Sequence, residues 1–231
     1  MSTFGVFVML KFYYNGELLE FTDDEEDYMY LNEGAEGIVY KYGDDAIKIY
    51  KPTCFRSRLN EEQCIRLGTI STKRNLMPKG IAYSDDCKTF IGYSTPFIYK
   101  FPVTRVMDMK MGDFVSELDV ITEDLDILSQ NGVLIDDWQA DNVLYDGEQL
   151  FIGDPGGIVF QYRTDYQQAK RNNMFTLSCF LKGDLFPLAR LSKKAKVNAW
   201  SVFEDYDMLE QMKDTMNSDE TVKKYVKRMT R

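Results

Sequence analysis

The sequence predicts an α+β fold with two lobes, the first a twisted antiparallel sheet with one helix and the second mainly helical. Runs rich in Phe, Tyr, Val and Ile, separated by turn residues, fill the chain up to Pro96. A connector with prolines at 96 and 102 follows, and apolar residues spaced three or four apart dominate after Phe114. We therefore expect the first lobe over residues 1–96 and the second over residues 97–231.

Short strands are expected in the first lobe wherever apolar and aromatic residues alternate between turn residues. The first hairpin should join Val6–Tyr14 to Leu18–Phe21 through Asn15-Gly16, a dipeptide typical of a type I′ turn. Further strands are predicted at Tyr28–Leu31, Ile38–Tyr42, Ala46–Tyr50, Ile81–Tyr83 and Phe90–Tyr93.

The one helix of the first lobe is predicted over Asn60–Ile70. Its apolar side should carry Cys64, Ile65 and Leu67. An acidic residue beside that side, Glu61, would lie close to the sheet on which the helix docks.

The second lobe opens with a long amphipathic pattern. Asp113 is the expected N-cap and Gly132 the expected end. The apolar positions are Phe114, Leu118, Ile121, Leu125 and Leu128. Two short strands, Val143–Tyr145 and Leu150–Ile152, should follow, with mostly helical structure from about Asn172.

Composition excludes several classes of function. A net charge of -9 argues against a nucleic-acid partner, and the run Asp23–Asp27 is interpreted as a solvated loop. The chain has no histidine, which removes Ser-His-Asp triads, Cys-His dyads and His-ligated zinc. Acid–base chemistry must therefore come from carboxylates, Lys, Tyr or Cys.

The cysteines and the first residues bear on location. Four scattered cysteines without a C-x-x-C spacing are typical of reduced thiols. The apolar stretch Phe4–Leu10 is too short to span a membrane and lacks a basic flank. We expect a cytoplasmic protein without a membrane partner, and secretion without a cleaved signal is the alternative that the sequence leaves open.

Five patterns carry candidate chemistry. Gly34 and Gly37 lie in a turn between two predicted strands, where the backbone can approach a phosphate. Lys48 lies on the next strand, and Glu61 on the following helix is a candidate partner for its ammonium group. The fourth pattern is Asp137, four residues, Asn142 and then a strand, and the fifth is Asp154-Pro155-Gly156 at the end of the next strand.

Together these residues resemble the protein-kinase superfamily. Asn32–Val39 resembles its Gly-rich loop, with Asn in place of the first glycine, and Asp45–Lys48 resembles its V-A-I-K strand. Ile135–Asn142 resembles the H-R-D-x-x-x-x-N catalytic loop, and Asp154-Pro155-Gly156 resembles D-F-G. The resemblance covers residues 28 to 157 and implies a kinase-like fold with ATP between the lobes.

The resemblance also implies roles for single residues. Asp137 would orient the acceptor hydroxyl and take its proton, and Asn142 and Asp154 would hold Mg²⁺, with Mn²⁺ as an alternative. Lys48, paired with Glu61, would hold the α- and β-phosphates of ATP. The nucleotide site would also include Gly34, Gly37, Val39 and Ala46, and the backbone of a hinge at Tyr93–Phe97, with Ser94, Thr95 and Phe97 as its contact residues.

Several positions depart from the family pattern. Ile135 and Asp136 replace the His-Arg pair, and Gln139 replaces the lysine that contacts the γ-phosphate in serine/threonine kinases. Asp136 and Asp141 are rival carboxylates, although the spacing to Asn142 favours Asp137. No A-P-E follows Asp154, so we expect no long activation segment, as in the compact kinases of bacterial effectors and other atypical kinases.

The departures leave three functions open. The first is a phosphotransferase that acts on a Ser, Thr or Tyr hydroxyl of a protein. The second is a pseudokinase that binds nucleotide or a protein partner without turnover, favoured by Gln139. The third is a small-molecule kinase, for which the chain lacks an obvious substrate-capping insertion. Asn173 is a candidate substitute for the Asp that supports the catalytic loop in the family, although an ordinary core helix is an equal interpretation.

Overall fold

A computed structural model describes residues 10–21, 28–53, 58–161, 163–203 and 205–231. The acidic run Asp23–Asp27, the first residues up to Met9 and Cys54 lie outside these ranges. The chain forms two compact units. Unit 1 contains residues 1–71 and 77–98, and unit 2 contains residues 72–76 and 99–231.

Unit 1 contains a seven-stranded antiparallel sheet with the order β2-β1-β6-β7-β5-β4-β3. Its strands are β1 (Leu10–Tyr14), β2 (Glu17–Phe21), β3 (Tyr28–Glu33), β4 (Gly37–Tyr42), β5 (Asp45–Tyr50), β6 (Gly80–Ser84) and β7 (Phe90–Pro96). At the first hairpin, Asn15 and Gly16 have φ angles of 50° and 85°, as a type I′ turn requires. The strands expected within the described residues are confirmed.

The two faces of this sheet differ in chemistry because side chains alternate along each strand. One face carries the apolar core of unit 1, in which the rings of Phe12 and Phe21 meet edge to face with centroids 5.0 Å apart. Ile47 and Ile49 of β5 join that core. Ala46 and Lys48 alternate with them and therefore lie on the opposite face.

Helix α1 (Glu61–Gly68) is the helix of unit 1 within the described residues. It begins with a capping box, in which the side chains of Asn60 and Gln63 each accept from the other's backbone N–H. Cys64 and Leu67 are buried, and burial, with a smaller contribution from nearby Glu61, raises the pKa of Cys64 to about 12. The expectation for Ile65 is wrong: the residue is 54% exposed. The buried side of α1 is defined by Cys64 and Leu67, which are three residues apart, and Ile65 lies outside it.

Unit 2 is mainly helical. Its helices are α2 (Met111–Gln130), α3 (Tyr166–Phe180), α4 (Lys193–Val202), α5 (Met208–Thr215) and α6 (Val222–Met229). Two antiparallel strand pairs accompany them: β9 (Val143–Tyr145) with β10 (Leu150–Ile152), and β8 (Val133–Ile135) with β11 (Ile158–Phe160). The sequence did not predict β8 and β11, in contrast to β9 and β10, which are equally short but flank the turn residues Asp146-Gly147. The predicted α+β fold class is confirmed.

Two predicted helix boundaries in unit 2 are wrong. Helix α2 begins after Lys110, so Asp113 lies in the first turn and is not the N-cap. Helix α3 begins at Tyr166, capped by Asp165, and not near Asn172. The early start of α3 confirms that only a short segment separates it from Asp154. No helix in the described part of the chain is long and apolar enough to cross a bilayer.

Residues 72–76 belong to unit 2 although residues of unit 1 flank them on both sides. The fully buried carboxylate of Asp124 on α2 holds this segment. It accepts backbone N–H groups of Lys73, Arg74 and Asn75 at 2.6 to 3.0 Å, and also the Asn75 amide at 3.1 Å. Four N–H donors from one five-residue segment replace the hydrogen bonds with water that the carboxylate loses on burial.

We expect Asp124→Ala to lower the free energy of unfolding by about 3 kcal/mol, because it would leave three backbone N–H groups, that of the buried Asn75 among them, without this acceptor. The neighbouring Glu123→Ala is the matched control. It removes an ion pair with Lys73 whose side chains are 61% and 63% exposed, and should change stability by less than about 0.5 kcal/mol. Denaturant unfolding followed by circular dichroism measures both, and equal effects would contradict the role of Asp124.

Candidate functional site

The Gly-rich turn of unit 1 is a tight connection between β3 and β4. Asn32 pairs with Val39 and Glu33 with Ile38, and the N–H of Gly34 donates to the carbonyl of Gly37 at 2.9 Å. The sequence predicted this turn between these two strands, and the structure confirms it.

The two glycines of this turn have different physical reasons. A Cβ on Gly37 would lie 2.4 Å from the backbone oxygen of Ile49, so only glycine lets β4 approach β5 here. A Cβ on Gly34 would meet nothing within 4 Å. Packing within unit 1 therefore explains Gly37, whereas it leaves Gly34 without a steric reason.

We expect Gly37→Ala to destabilise unit 1, lowering its free energy of unfolding by about 2 kcal/mol, because β4 must move away from β5. Gly34→Ala should leave stability within about 0.5 kcal/mol of the parent. If the turn contacts phosphates, Gly34→Ala should still weaken ATP binding. Thermal unfolding and nucleotide titration of both variants measure these effects, and a Gly34→Ala variant that unfolds like Gly37→Ala would contradict this assignment.

The ammonium group of Lys48 lies beside the same turn. Lys48 is 9% exposed, and its Nζ is 2.7 Å from Oε2 of Glu36. Lys51, directly after β5, pairs with Glu33 at 2.6 Å and donates to the carbonyl of Gly34 at 2.8 Å. Lys48 within β5 and Lys51 directly after it therefore form ion pairs with glutamates at the connection between β3 and β4.

The predicted partner of Lys48, Glu61, makes a different contact. Its Oε1 accepts the hydroxyl of Tyr83 on β6 at 2.6 Å. This bond raises the pKa of Tyr83, because ionising the phenol would place a second negative charge beside the carboxylate. The pairing of Lys48 with Glu61 stays a prediction, and Glu36 is the partner that sequence reasoning missed.

Strand register shows which predicted nucleotide-site residues share a face. Val39 pairs with Lys48, and Ala46 pairs with Thr95. Because directly paired residues point to the same side, and residues two apart do so as well, these four side chains share the face opposite the core of unit 1.

Ser94 lies on the other face. It pairs with Ile47, is fully buried and lies 2.7 Å from the hydroxyl of Tyr14, which also bonds Asp45. Burial, with the Asp45 contact, raises the pKa of Tyr14 to about 12. Successive side chains along a strand point to opposite faces of the sheet. The side chain of Ser94 therefore lies on the core face, opposite to that of Thr95.

Four of the five predicted hinge residues, Tyr93–Pro96, belong to β7, and Phe97 follows it. The carbonyl of Ser94 accepts the N–H of Lys79, and the N–H of Phe97 donates to Asp44 at 2.9 Å. The chain leaves unit 1 after Ile98. The contact of these residues with adenine stays a prediction.

In unit 2, the loop after β8 presents the carboxylate of Asp137. Its Oδ1 accepts the side-chain amide of Gln139 at 2.5 Å, and its backbone oxygen accepts the side-chain amide of Asn142 at 3.2 Å. Within the described residues, Oδ2 accepts no hydrogen bond. An exposed carboxylate oxygen on a loop held from both sides is available to an incoming hydroxyl group.

The loop that carries Asp137 packs against the segment after Asp154. The N–H groups of Asp136 and Asp137 both point to the carbonyl of Gly157, at 3.0 and 3.4 Å. A Cβ on Gly157 would lie only 2.2 Å from the Cβ of Asp137. Glycine at 157 is therefore required for this approach, which is a role that the sequence analysis missed.

Helix α3 supports the same loop from below. The fully buried Asn173 accepts the N–H of Ile135 at 3.0 Å and donates to Ser129 and to the carbonyl of Val133. Thr176 donates to the carbonyl of Ile135 and accepts the indole N–H of Trp138. Asn173 therefore holds the strand that leads into the loop of Asp137, whereas a catalytic role of that loop stays a prediction.

Asn142 and Asp154 lie at the same end of a hairpin. Asn142 precedes β9, Asp154 follows β10, and the N–H of Gly153 donates to the carbonyl of Asn142 at 2.7 Å. Asp154 also caps a short 3₁₀ turn by accepting the N–H of Gly156 at 2.8 Å. The amide and carboxylate oxygens at this end are ligands that Mg²⁺ accepts.

A complete protein cage for a metal is absent from the part of the chain that the structure describes. No three Cys, Asp or Glu side chains there group as a metal site. A Mg²⁺ ion that a nucleotide carries takes one or two carboxylates from the protein and completes its shell with phosphate oxygens and water. Asn142 and Asp154 are the residues that would hold it.

Comparison with known proteins tests the fold. No protein-family model matches the chain, and no curated protein matches its sequence. Among solved structures, the kinase domain of PknI from Mycobacterium tuberculosis, as a cysteine-to-alanine mutant, matches with a TM-score of 0.52. The match covers 89% of this chain and 96% of that domain at 13% identity. The chain has a protein-kinase-like fold.

At this identity the likeness extends to the fold and not to the activity. The kinase-like fold places the Gly-rich turn, Lys48 and Glu61 in unit 1, and Asp137, Asn142 and Asp154 in unit 2. Their convergence on one nucleotide stays a prediction.

Proposed function

We propose that the chain is an ATP- and Mg²⁺-dependent phosphotransferase that acts on a protein Ser, Thr or Tyr hydroxyl. The presentation of Asp137 carries the proposal. Its backbone is held by Gly157 and Asn142, one carboxylate oxygen bonds Gln139, and the other faces no described donor. Such an oxygen can accept the hydroxyl group of an acceptor.

The chemistry proposed for Asp137 is proton acceptance. As the acceptor oxygen forms its bond to the γ-phosphorus, the bond to the leaving oxygen of ADP breaks, and the acceptor proton passes to the carboxylate. Bound Mg²⁺ would neutralise charge on the phosphate oxygens. Asn142 and Asp154 would orient that ion, and Lys48 would hold the α- and β-phosphates.

A protein acceptor is preferred over a small molecule because the chain has no obvious insertion that would enclose a small substrate. The kinase-like fold also favours a nucleotide as the phosphate donor. The fold and the composition are thus the basis for the preference for a protein acceptor.

The rival proposal is a pseudokinase, and two contacts favour it. Gln139 supplies a neutral amide where serine/threonine kinases have a lysine for the γ-phosphate, and it bonds Asp137 instead. Glu36 forms an ion pair with the ammonium group of Lys48, so phosphates would have to compete with a carboxylate for that group. Against this rival, Lys48, Asp137, Asn142 and Asp154 are all present, and a protein without turnover needs no such set.

We expect Asp137→Ala to lower the rate of phosphate transfer by about 10²- to 10⁴-fold while leaving Mg·ATP binding in place. Asp154→Ala should abolish binding of the Mg complex as well. Transfer of ³²P from ATP to the chain itself or to generic protein acceptors, with a parallel nucleotide titration, measures both.

Asp136→Ala is the matched control, because it removes the adjacent exposed carboxylate on the same loop. A rate loss from Asp136→Ala equal to that from Asp137→Ala would contradict the assignment of the base. Binding of Mg·ATP by the parent chain, with no transfer to any acceptor, would establish the pseudokinase.

We expect Glu36→Gln to strengthen ATP binding by about three- to tenfold, because the phosphates would no longer compete with a carboxylate for Lys48. Glu33→Gln, which removes the partner of Lys51 in the same turn, should have a smaller effect. Isothermal titration of both variants provides the comparison. Weaker binding by Glu36→Gln would show instead that Glu36 positions Lys48 for the nucleotide.

A further inference from the structure

A second candidate site lies in unit 2, between the start of α4 and the end of α6. It is a cavity of about 270 Å³. We call it the basic cavity and define it by Arg190, Ser192, Lys194, Asn198, Lys227 and Arg231. Four of these six side chains are cationic, and no Asp or Glu side chain lines the cavity.

This concentration of positive charge is unusual for the chain. The net charge is -9, and three cations of unit 2 outside the cavity have carboxylate partners: Lys182 bonds Asp205, Lys213 bonds Asp119 and Arg228 bonds Glu220. In contrast, the cations of the basic cavity have no carboxylate within 4 Å among the residues that the structure describes. Among the described residues, no ion pair with a carboxylate offsets the mutual repulsion of these cations.

The helix dipole of α4 adds to this imbalance. Lys193 and Lys194 occupy the first turn of α4, which contains no acidic residue. The first turn is the positive end of a helix, where cations are destabilising and anions are favoured. Lys227 lies in the last turn of α6, where a cation is already favourable. Helix stability can explain Lys227, but it argues against the lysines of α4.

The walls of the basic cavity are held together by hydrogen bonds. The amide of Asn198 on α4 donates to the carbonyls of Thr230 and Arg231, at 3.1 and 3.4 Å. Thr230 is 1% exposed and its hydroxyl donates back to Val226 on α6. The cavity therefore has a fixed base, with the flexible ends of four cations around it.

We propose that the basic cavity binds a compact anion that carries two or more phosphate groups. Four cations match the charge of such an anion, and the helix terminus adds a favourable field. The volume lies at the lower end for small-molecule pockets. The only apolar lining residues are Leu191 and Ala195, so the cavity offers no aromatic ring on which a nucleotide base could stack.

The test uses inorganic pyrophosphate, titrated calorimetrically into the full chain in metal-free buffer. The double variant Lys194→Gln with Lys227→Gln should weaken binding at least about tenfold, since it removes half of the cationic charge. The matched control is Lys193→Gln with Lys224→Gln. It removes the same charge from the same two helices at positions that do not line the cavity, and should weaken binding less than about twofold.

Three results would overturn the proposal. One is a dissociation constant for the parent chain weaker than about 1 mM. Another is an equal loss of binding in the two double variants, which would show an effect of net charge alone. The third is a loss of pyrophosphate binding in Lys48→Ala, which would place the anion at the nucleotide site proposed above. The Lys48→Ala variant distinguishes anion binding at the basic cavity from binding at the proposed nucleotide site. Failure of either proposal therefore leaves the other testable.

A competition experiment identifies the source of the phosphate. A peptide with two neighbouring phosphoserines that displaces pyrophosphate from the parent and, with the same affinity, from the Lys193/Lys224 control would indicate a phosphorylated protein segment. Failure of the peptide with retained pyrophosphate binding would indicate a free polyphosphate anion. Both results support the proposed ligand chemistry.

Discussion

The close approach of two backbones at Gly157 is the constraint on which the loop of Asp137 in unit 2 depends. The carbonyl of Gly157 faces the N–H groups of Asp136 and Asp137, and any side chain at 157 would occupy the space of Asp137. From the other side, Asn173 of α3 fixes the strand that leads into the loop. An exposed carboxylate is thus held by buried hydrogen bonds, which is how a fold can give a reactive group one orientation.

Charge organises the two units differently. In unit 1, Glu36 and Glu33 bind Lys48 and Lys51, so that the Gly-rich turn is closed onto β5 by its own residues. A nucleotide would have to compete with Glu36, and the turn is the part of unit 1 that such competition would move. In unit 2, a buried carboxylate at Asp124 accepts backbone N–H groups of residues 72–76, whereas the four cations of the basic cavity form no ion pair with a described carboxylate.

Periodicity predicted most of the elements because it reflects burial directly. The hairpin at Asn15-Gly16, the strands of the sheet and the long helix α2 follow from alternation, turn residues and three- or four-residue spacing. The errors concern one side-chain direction, one helix boundary and two short strands. Ile65 is exposed because it lies off the side of α1 that carries Cys64 and Leu67, the N-cap of α2 is Lys110 and not Asp113, and β8 and β11 were not predicted.

The sequence by itself determined the kinase-like fold class and the order of the candidate motifs, since both depend on local patterns along the chain. Only the tertiary structure decided which side chains meet: Glu36 with Lys48, Tyr83 with Glu61, Gly157 with Asp137 and Asn173 with the strand before it. It also decided that Ser94 faces the core while Thr95 does not. The physical reason is that contacts between distant residues depend on strand register and on the direction of each side chain, which a single sequence does not encode locally.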